Sequence, residues 1–203
     1  EEPKDSTNEK ENITFVFESG RKNLYEKNLI EAREMYYTLP LYDVRDTNIN
    51  VIEFEKNNSI FTSLLYLLDR FFNKILSLPF YMHLVCKWKN YKTFKASDHV
   101  FLVNEGTGFS VLPMLIILKI FGKTKVHLFV MGLYSKKLKY GKLKFFHNLT
   151  INFLVYFLDT LFFLGKGELE KAKTITKNHE KLHFLPFSVD EDFWTVNNEI
   201  DIK

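Results

Sequence analysis

A lone cysteine, Cys86, is all the thiol the 203 residues contain. No intrachain disulfide can form, which fits a reducing compartment. Cys86 sits in an apolar stretch and reads as a small core residue. Uninterrupted apolar runs are missing too. Val111 to Phe121 is short and contains Lys119, and Leu149 to Gly165 contains Asn152 and Asp159. Neither reaches the roughly 20 residues of a spanning helix, so both read as core elements. Glu1 to Asn12 is acidic and polar and does not read as a signal peptide. The sequons at Asn12, Asn57 and Asn148 therefore carry little weight. There is no G-x-G-x-x-G, hence no expected self-contained dinucleotide site. The six histidines show no metal-ligand spacing, and no Ser/His/Asp order stands out, so no metal is expected. His99 and His127 fall in strand-like runs and read as packing residues. No internal repeat is evident.

What is present suits one globular domain. A chain this long can bury about 70% of its unfolded surface. Aromatic residues reach 16%, including 21 Phe, which implies an aromatic core or an adhesive surface. The net charge of +3 hides an uneven distribution. Residues 87–144 hold 12 basic and 2 acidic groups, while residues 1–12 and 145–203 are each net −3. The lysines of the basic block alternate with aromatic rings in two clusters. One contains Lys87, Lys89 and Lys92, and the other Lys136, Lys137, Lys139 and Lys142. Such a surface suits an anionic membrane face, each lysine contributing about 1 kcal/mol. A solvated lysine-rich surface is the competing reading. Nucleic acid is not expected, because no nucleic-acid motif accompanies the charge.

Residues 1–12 lack apolar side chains and read as a flexible acidic lead-in. Strands are expected at Ile13–Phe17, Asn50–Phe54, His99–Val103, Lys125–Val130, Thr160–Leu164 and Leu182–Pro186. Helices are expected over about Lys22–Tyr37, residues 60–76 with a continuation to about Trp88, Ser110 to Gly122, Lys142–Phe157 and Glu168–Lys177. In the second, Phe61, Leu64, Leu65, Leu68, Phe72 and Ile75 form the expected apolar side, opposite Asp69, Arg70, Asn73 and Lys74. In the third, Ser110 is the expected cap, with Pro113 in the first turn. The alternation predicts an α/β fold: a single Rossmann-like domain over residues 13–188, mainly a parallel sheet of apolar strands with helices on both faces.

Ligands of such sheets lie beyond the carboxyl ends of the strands. That rule selects Ser19–Arg21, Asn104–Gly108, Met131–Ser135 and Gly165–Glu168. Ser19, Gly20 and Arg21 form either a helix-N-terminal anion site or a simple turn. Glu105 either accepts hydrogen bonds from a polyhydroxylated molecule or stabilises a helix start. Gly106 and Gly108 are expected to serve backbone shape, with Thr107 between them. Met131 and Gly132 allow either close ligand approach or an ordinary turn.

One phrase is more specific. Asp159 to Glu168 leads into Lys181 to Trp194, which contains Leu185-Pro186-Phe187-Ser188-Val189-Asp190 and then Phe193. This resembles the end of the N-terminal domain of GT-B glycosyltransferases of the group 1 type, over roughly residues 13–195. The resemblance implies one half of a GT-B fold, the acceptor-binding half. Residues 189–203 would be the hinge into a C-terminal domain that binds most of the nucleotide-sugar donor. By this reading the isolated chain is inactive, and no cofactor is tightly bound. Ser19, Gly20 and Arg21 would face the donor diphosphate. Glu105, Gly106, Thr107, Met131 and Gly132 would face a glycan, lipid-linked or small acceptor. Many members carry a sugar-contacting histidine where this chain reads Met131-Gly132-Leu133-Tyr134. The implied location is cytoplasmic, with the basic block resting peripherally on the inner face of the membrane. The alternative is a non-catalytic Rossmann-like binding module on an anionic membrane surface.

Overall fold

In the computed structural model, residues 10–27, 36–42, 45–134 and 143–186 are described. Six strands form one all-parallel sheet: β1 (Glu11–Phe17), β2 (Thr47–Glu53), β3 (His99–Leu102), β4 (Lys125–Val130), β5 (Thr160–Phe163) and β6 (Leu182–Phe184), in the order β2-β1-β3-β4-β5-β6. β1 begins inside the expected lead-in. The chain first steps from β1 out to β2, then returns past β1 and steps outward in the other direction. The order therefore reverses between β1 and β3. This is an α/β, Rossmann-like arrangement with its switch point at those two strands.

Helices α1 (Lys22–Glu26), α2 (Ile60–Leu76), α3 (Met82–Val85), α4 (Trp88–Ala96), α5 (Glu105–Phe121), α6 (Lys144–Phe157) and α7 (Lys166–Ile175) alternate with the strands. Alternate residues of each strand point to opposite sides, and two apolar cores follow. On one side Val16, Val100, Leu102, Leu128 and Phe163 meet buried residues of α2 to α7. On the other, Phe15, Phe17, Phe101 and Phe129 meet Tyr36, Leu39 and part of Tyr25, so the segment after β1 covers this face. Aromatic rings tile that second face. Phe15 stacks on Phe101 at 5.0 Å, Phe101 on His127 at 4.8 Å, and Phe129 meets Phe162 at 5.4 Å. Each fully buried Phe contributes about 2–3 kcal/mol.

Several expectations change. β2 starts at Thr47 and alternates polar with apolar residues, because it is an edge strand and not a central one. The described helix after β1 stops at Glu26, and residues 28–35 lie outside the described residues. The continuation of α2 is two separate helices; α4 buries Asn90, Tyr91 and Phe94, at helical spacing within the lysine cluster.

α5 begins six residues earlier than expected. Its cap is Asn104, whose Oδ1 accepts from Thr107 N at 2.8 Å, while Thr107 Oγ1 donates to Asn104 O at 2.7 Å. Ser110 lies inside the helix, donating to Gly106 O and accepting from Tyr81 N. Pro113 is interior. Burial of nearly every residue from Glu105 to Leu115 overrides the local breakers. Cys86 is half-buried, donates to Ser110 O at 3.2 Å, and burial pushes its thiol up to about 12.

Candidate functional site at the carboxyl ends of the strands

Four glutamates gather at the carboxyl ends: Glu18 after β1, Glu53 closing β2, Glu105 after β3 and Glu168 in the first turn of α7. Two of them hold backbone. Glu53 Oε1 accepts from the amides of Arg21 and Lys22, the latter at 2.7 Å. Glu168 Oε1 accepts from Tyr134 N at 2.9 Å. Burial raises the Glu168 carboxyl above its usual range, and the nearby Glu105 charge adds to the rise. Glu168 thus anchors the turn after β4.

The other two follow the strands that flank the switch point, Glu18 after β1 and Glu105 after β3. Glu18 Oε1 accepts from Asn104 Nδ2 at 2.9 Å, linking the β1 and β3 ends. Gly106 lets Glu18 lie there, since a Cβ on Gly106 would stand 2.7 Å from Glu18 Oε1. Glu105 is buried at the start of α5. Gly132 has φ +128, and a Cβ on it would meet Glu105 Oε1 at 3.9 Å. Tyr37 closes the group, with its hydroxyl donating to Met131 Sδ at 3.0 Å and its ring 4.7 Å from Phe129. Burial raises the Tyr37 hydroxyl above its ordinary value. The Arg21 charge opposes this rise, while Glu105 and Glu18 add to it. Tyr37 therefore senses the charges of all three residues.

Glu105, Gly106, Met131 and Gly132 come together at this rim. Thr107 is fully buried and serves the cap of α5. Gly106 and Gly108 do not serve backbone shape, because both are ordinary helical residues. They serve close packing: a Cβ on Gly108 would press on Leu128 and Leu154 at 3.2–3.3 Å.

Ser19 and Gly20 are exposed, and Gly20 has φ +81, a conformation glycine accepts readily. The Arg21 guanidinium lies 5.5 Å from the Phe17 ring centre. The amides of Arg21 and Lys22 already bind Glu53, so a phosphate there would have to displace a carboxylate. Lys87 pairs with Glu55 at 2.9 Å, while Lys89 and Lys92 lie exposed on α4. Lys136, Lys137, Lys139 and Lys142 lie outside the described residues, as do Ser135, residues 187–195 of the GT-B-like phrase and residues 189–203.

Sequence reasoning missed Glu18, Tyr37, Glu53 and the anchoring role of Glu168. The available signal was positional: each glutamate directly ends or follows a strand, or opens the last helix. Among the described residues no group of three or more His, Cys, Asp or Glu could hold a metal, and no helix is long and apolar enough to cross a membrane. Several cavities lie among the described residues, two of which bear on the charged and apolar surfaces. One of ≈ 280 Å³ runs beside β2 near Glu53 and Lys87, and one of ≈ 430 Å³ lies between α2, α4 and α5.

The rim is rich in hydrogen-bond acceptors, carries negative charge beside one arginine, and includes exposed Met131 as an apolar surface. Chemically, it can accept hydrogen bonds from hydroxyl or ammonium groups and repel phosphates. No family model matches the sequence, and no curated protein matches it either.

Proposed function

We propose that this chain is the acceptor-binding half of a GT-B glycosyltransferase, an enzyme that moves a sugar from a nucleotide-sugar donor to a hydroxylated acceptor. The carrying observation is Glu18 at the end of β1, tied to the end of β3 by the Asn104–Glu18 bond, with Glu105 buried next to Asn104 in the chain. On this reading a carboxylate at this end of the sheet orients an acceptor hydroxyl and takes its proton. The parallel order with a switch point, and the Leu185-to-Phe193 phrase in the sequence, support the same reading. Crowded carboxylates disfavour a diphosphate on this wall. The donor therefore belongs mainly to a second domain across the cleft, with Arg21 as this chain's contribution. No tightly held cofactor is needed for such a transfer, because helix dipoles and basic groups can stabilise the leaving diphosphate.

The test is made on the complete gene product. The reading frame past Lys203 should encode a further α/β domain of about 150–200 residues. The purified product should release nucleoside diphosphate from at least one nucleotide sugar when a sugar or lipid-linked acceptor is supplied. Glu105→Gln should lower that turnover about 100-fold with an unchanged melting midpoint. Absence of diphosphate release across a donor panel would remove the enzyme reading.

A second reading is favoured by a different observation. α2, α4 and α6 carry lysines and arginine but only one acid, the buried Asp69. On this reading the chain sits peripherally on the anionic cytoplasmic face of a membrane, with or without catalysis.

A further inference from the structure

α6 is apolar on the side turned away from the core. Its buried residues are His147, Ile151, Leu154 and Val155. Phe145, Phe146, Leu149, Phe153 and Tyr156 fall on the opposite side at helical spacing, and all are exposed, Phe145 by 69%. A surface helix ordinarily turns polar residues outward. α2 repeats the pattern. Thr62, Leu65, Asp69 and Leu76 are buried, while Ile60, Phe61, Leu64, Leu67, Leu68 and Phe71 form a second exposed stripe.

The two helices belong to the same side of the sheet and touch, with His147 Nδ1 2.6 Å from Leu76 O. Together these side chains expose on the order of 1,000 Å² of apolar surface, against about 300–600 Å² for the largest patch of an ordinary monomer. The ≈ 430 Å³ groove opens beside Phe61 and is walled by Trp88, Met114 and Ile117.

Charge identifies the occupant. From Lys56 to Leu76 and from Lys144 to Phe157 the only carboxylate is Asp69, 2% exposed. Lys56, Arg70, Lys74 and Lys144 are exposed around the stripes. A second copy of the chain meeting this face across a two-fold axis would bring those cations together without counter-charges. An anionic lipid surface supplies the counter-charge to the cations and hydrocarbon to the rings.

We propose that α2 and α6 are a monotopic lipid-binding face, their outward stripes inserting among the acyl chains of an anionic bilayer while the flanking lysines meet the headgroups. This rests on the membrane-surface reading above and replaces attraction by the lysine clusters alone with insertion of named helices.

The experiment uses the whole chain with vesicles of phosphatidylcholine containing phosphatidylserine, and with phosphatidylcholine alone. Leu67→Trp and Phe153→Trp should each show a blue-shifted emission on the mixed vesicles and quenching by brominated acyl chains. Leu64→Ser with Leu67→Ser should weaken partitioning about tenfold or more. The melting midpoint should hold, because both positions are exposed. Binding without quenching, unaffected by the serine pair, would overturn insertion and leave a purely electrostatic membrane reading. No binding to mixed vesicles at low salt would overturn both. A vesicle-free dimer that the serine pair dissociates would assign the face to a second copy and overturn the proposal.

Discussion

Asp69→Ala should cost about 3–5 kcal/mol of folding stability. Asp69 lies in the middle of α2 but is almost fully buried. Its carboxylate accepts from Met82 N and His83 N, each at 3.0 Å, and lies 2.6 Å from His83 Nδ1. One side chain therefore satisfies the opening amides of α3 and joins that helix to α2. Alanine leaves those amides without their acceptor, at about 1–3 kcal/mol for each group left unsatisfied in the interior. For a chain of this length that is roughly a 10 °C fall in melting midpoint. His83→Ala should cost much less, because the backbone bonds to Asp69 survive. Thermal unfolding of the two variants gives the comparison. Equal, small shifts in both would show that the carboxylate does not hold α3 in place.

The second large effect depends on pH. His127 sits in the aromatic layer between Phe101 and Phe162 and lies 2.8 Å from His99 Nδ1 through its Nε2. Burial lowers its pKa from the ordinary 6.5 to about 4, and the neighbouring His99 and Lys125 act in the same direction, against Asp159. Between those values the unfolded chain binds a proton that the folded chain does not, so stability rises with pH there. The contribution is complete above pH 6.5 and is lost as the pH falls through that window to about 4. The full span is about 3 kcal/mol at 1.36 kcal/mol per unit. His127→Phe keeps a ring in the stack and cannot titrate. Urea unfolding at a series of pH values should show the wild-type curve falling below that of the variant as acidity increases. Parallel curves would show that His127 is protonated in the folded protein.

Strand positions were legible because each is a short apolar run bounded by turn residues, and the alternation with helices left little freedom of topology. The first turn of α5 was not. Gly106 and Gly108 read locally as loop residues and Pro113 as a first-turn residue, yet all three lie inside a buried helix. The two glycines are there because Glu18, Leu128 and Leu154 approach from elsewhere in the chain, and no local pattern records such neighbours. The same limit applies to the rim. Glu105 and Gly132 were found from their place after strands, but the division of the glutamates into two that hold amides, Glu18 that links the ends of β1 and β3, and Glu105 that is buried beside Gly132 exists only in three dimensions.

α2 shows the reverse failure. Its spacing placed Phe61, Leu64 and Leu68 with the core and Asp69 with solvent. In the fold the three apolar residues are exposed and the acid is buried. Helical periodicity identifies an apolar face, and its partner can be the sheet or something outside the chain.

The rim itself is tested most directly by chemical-shift mapping of the isotopically labelled chain titrated with neutral saccharides and with nucleoside diphosphates. The account predicts saccharide-dependent shifts centred on Glu18, Asn104, Gly106 and Gly132, lost in Glu18→Ala, with weaker or absent responses to the diphosphates. Shifts that avoid the ends of β1, β3 and β4, or a rim that answers only to phosphate, would contradict it.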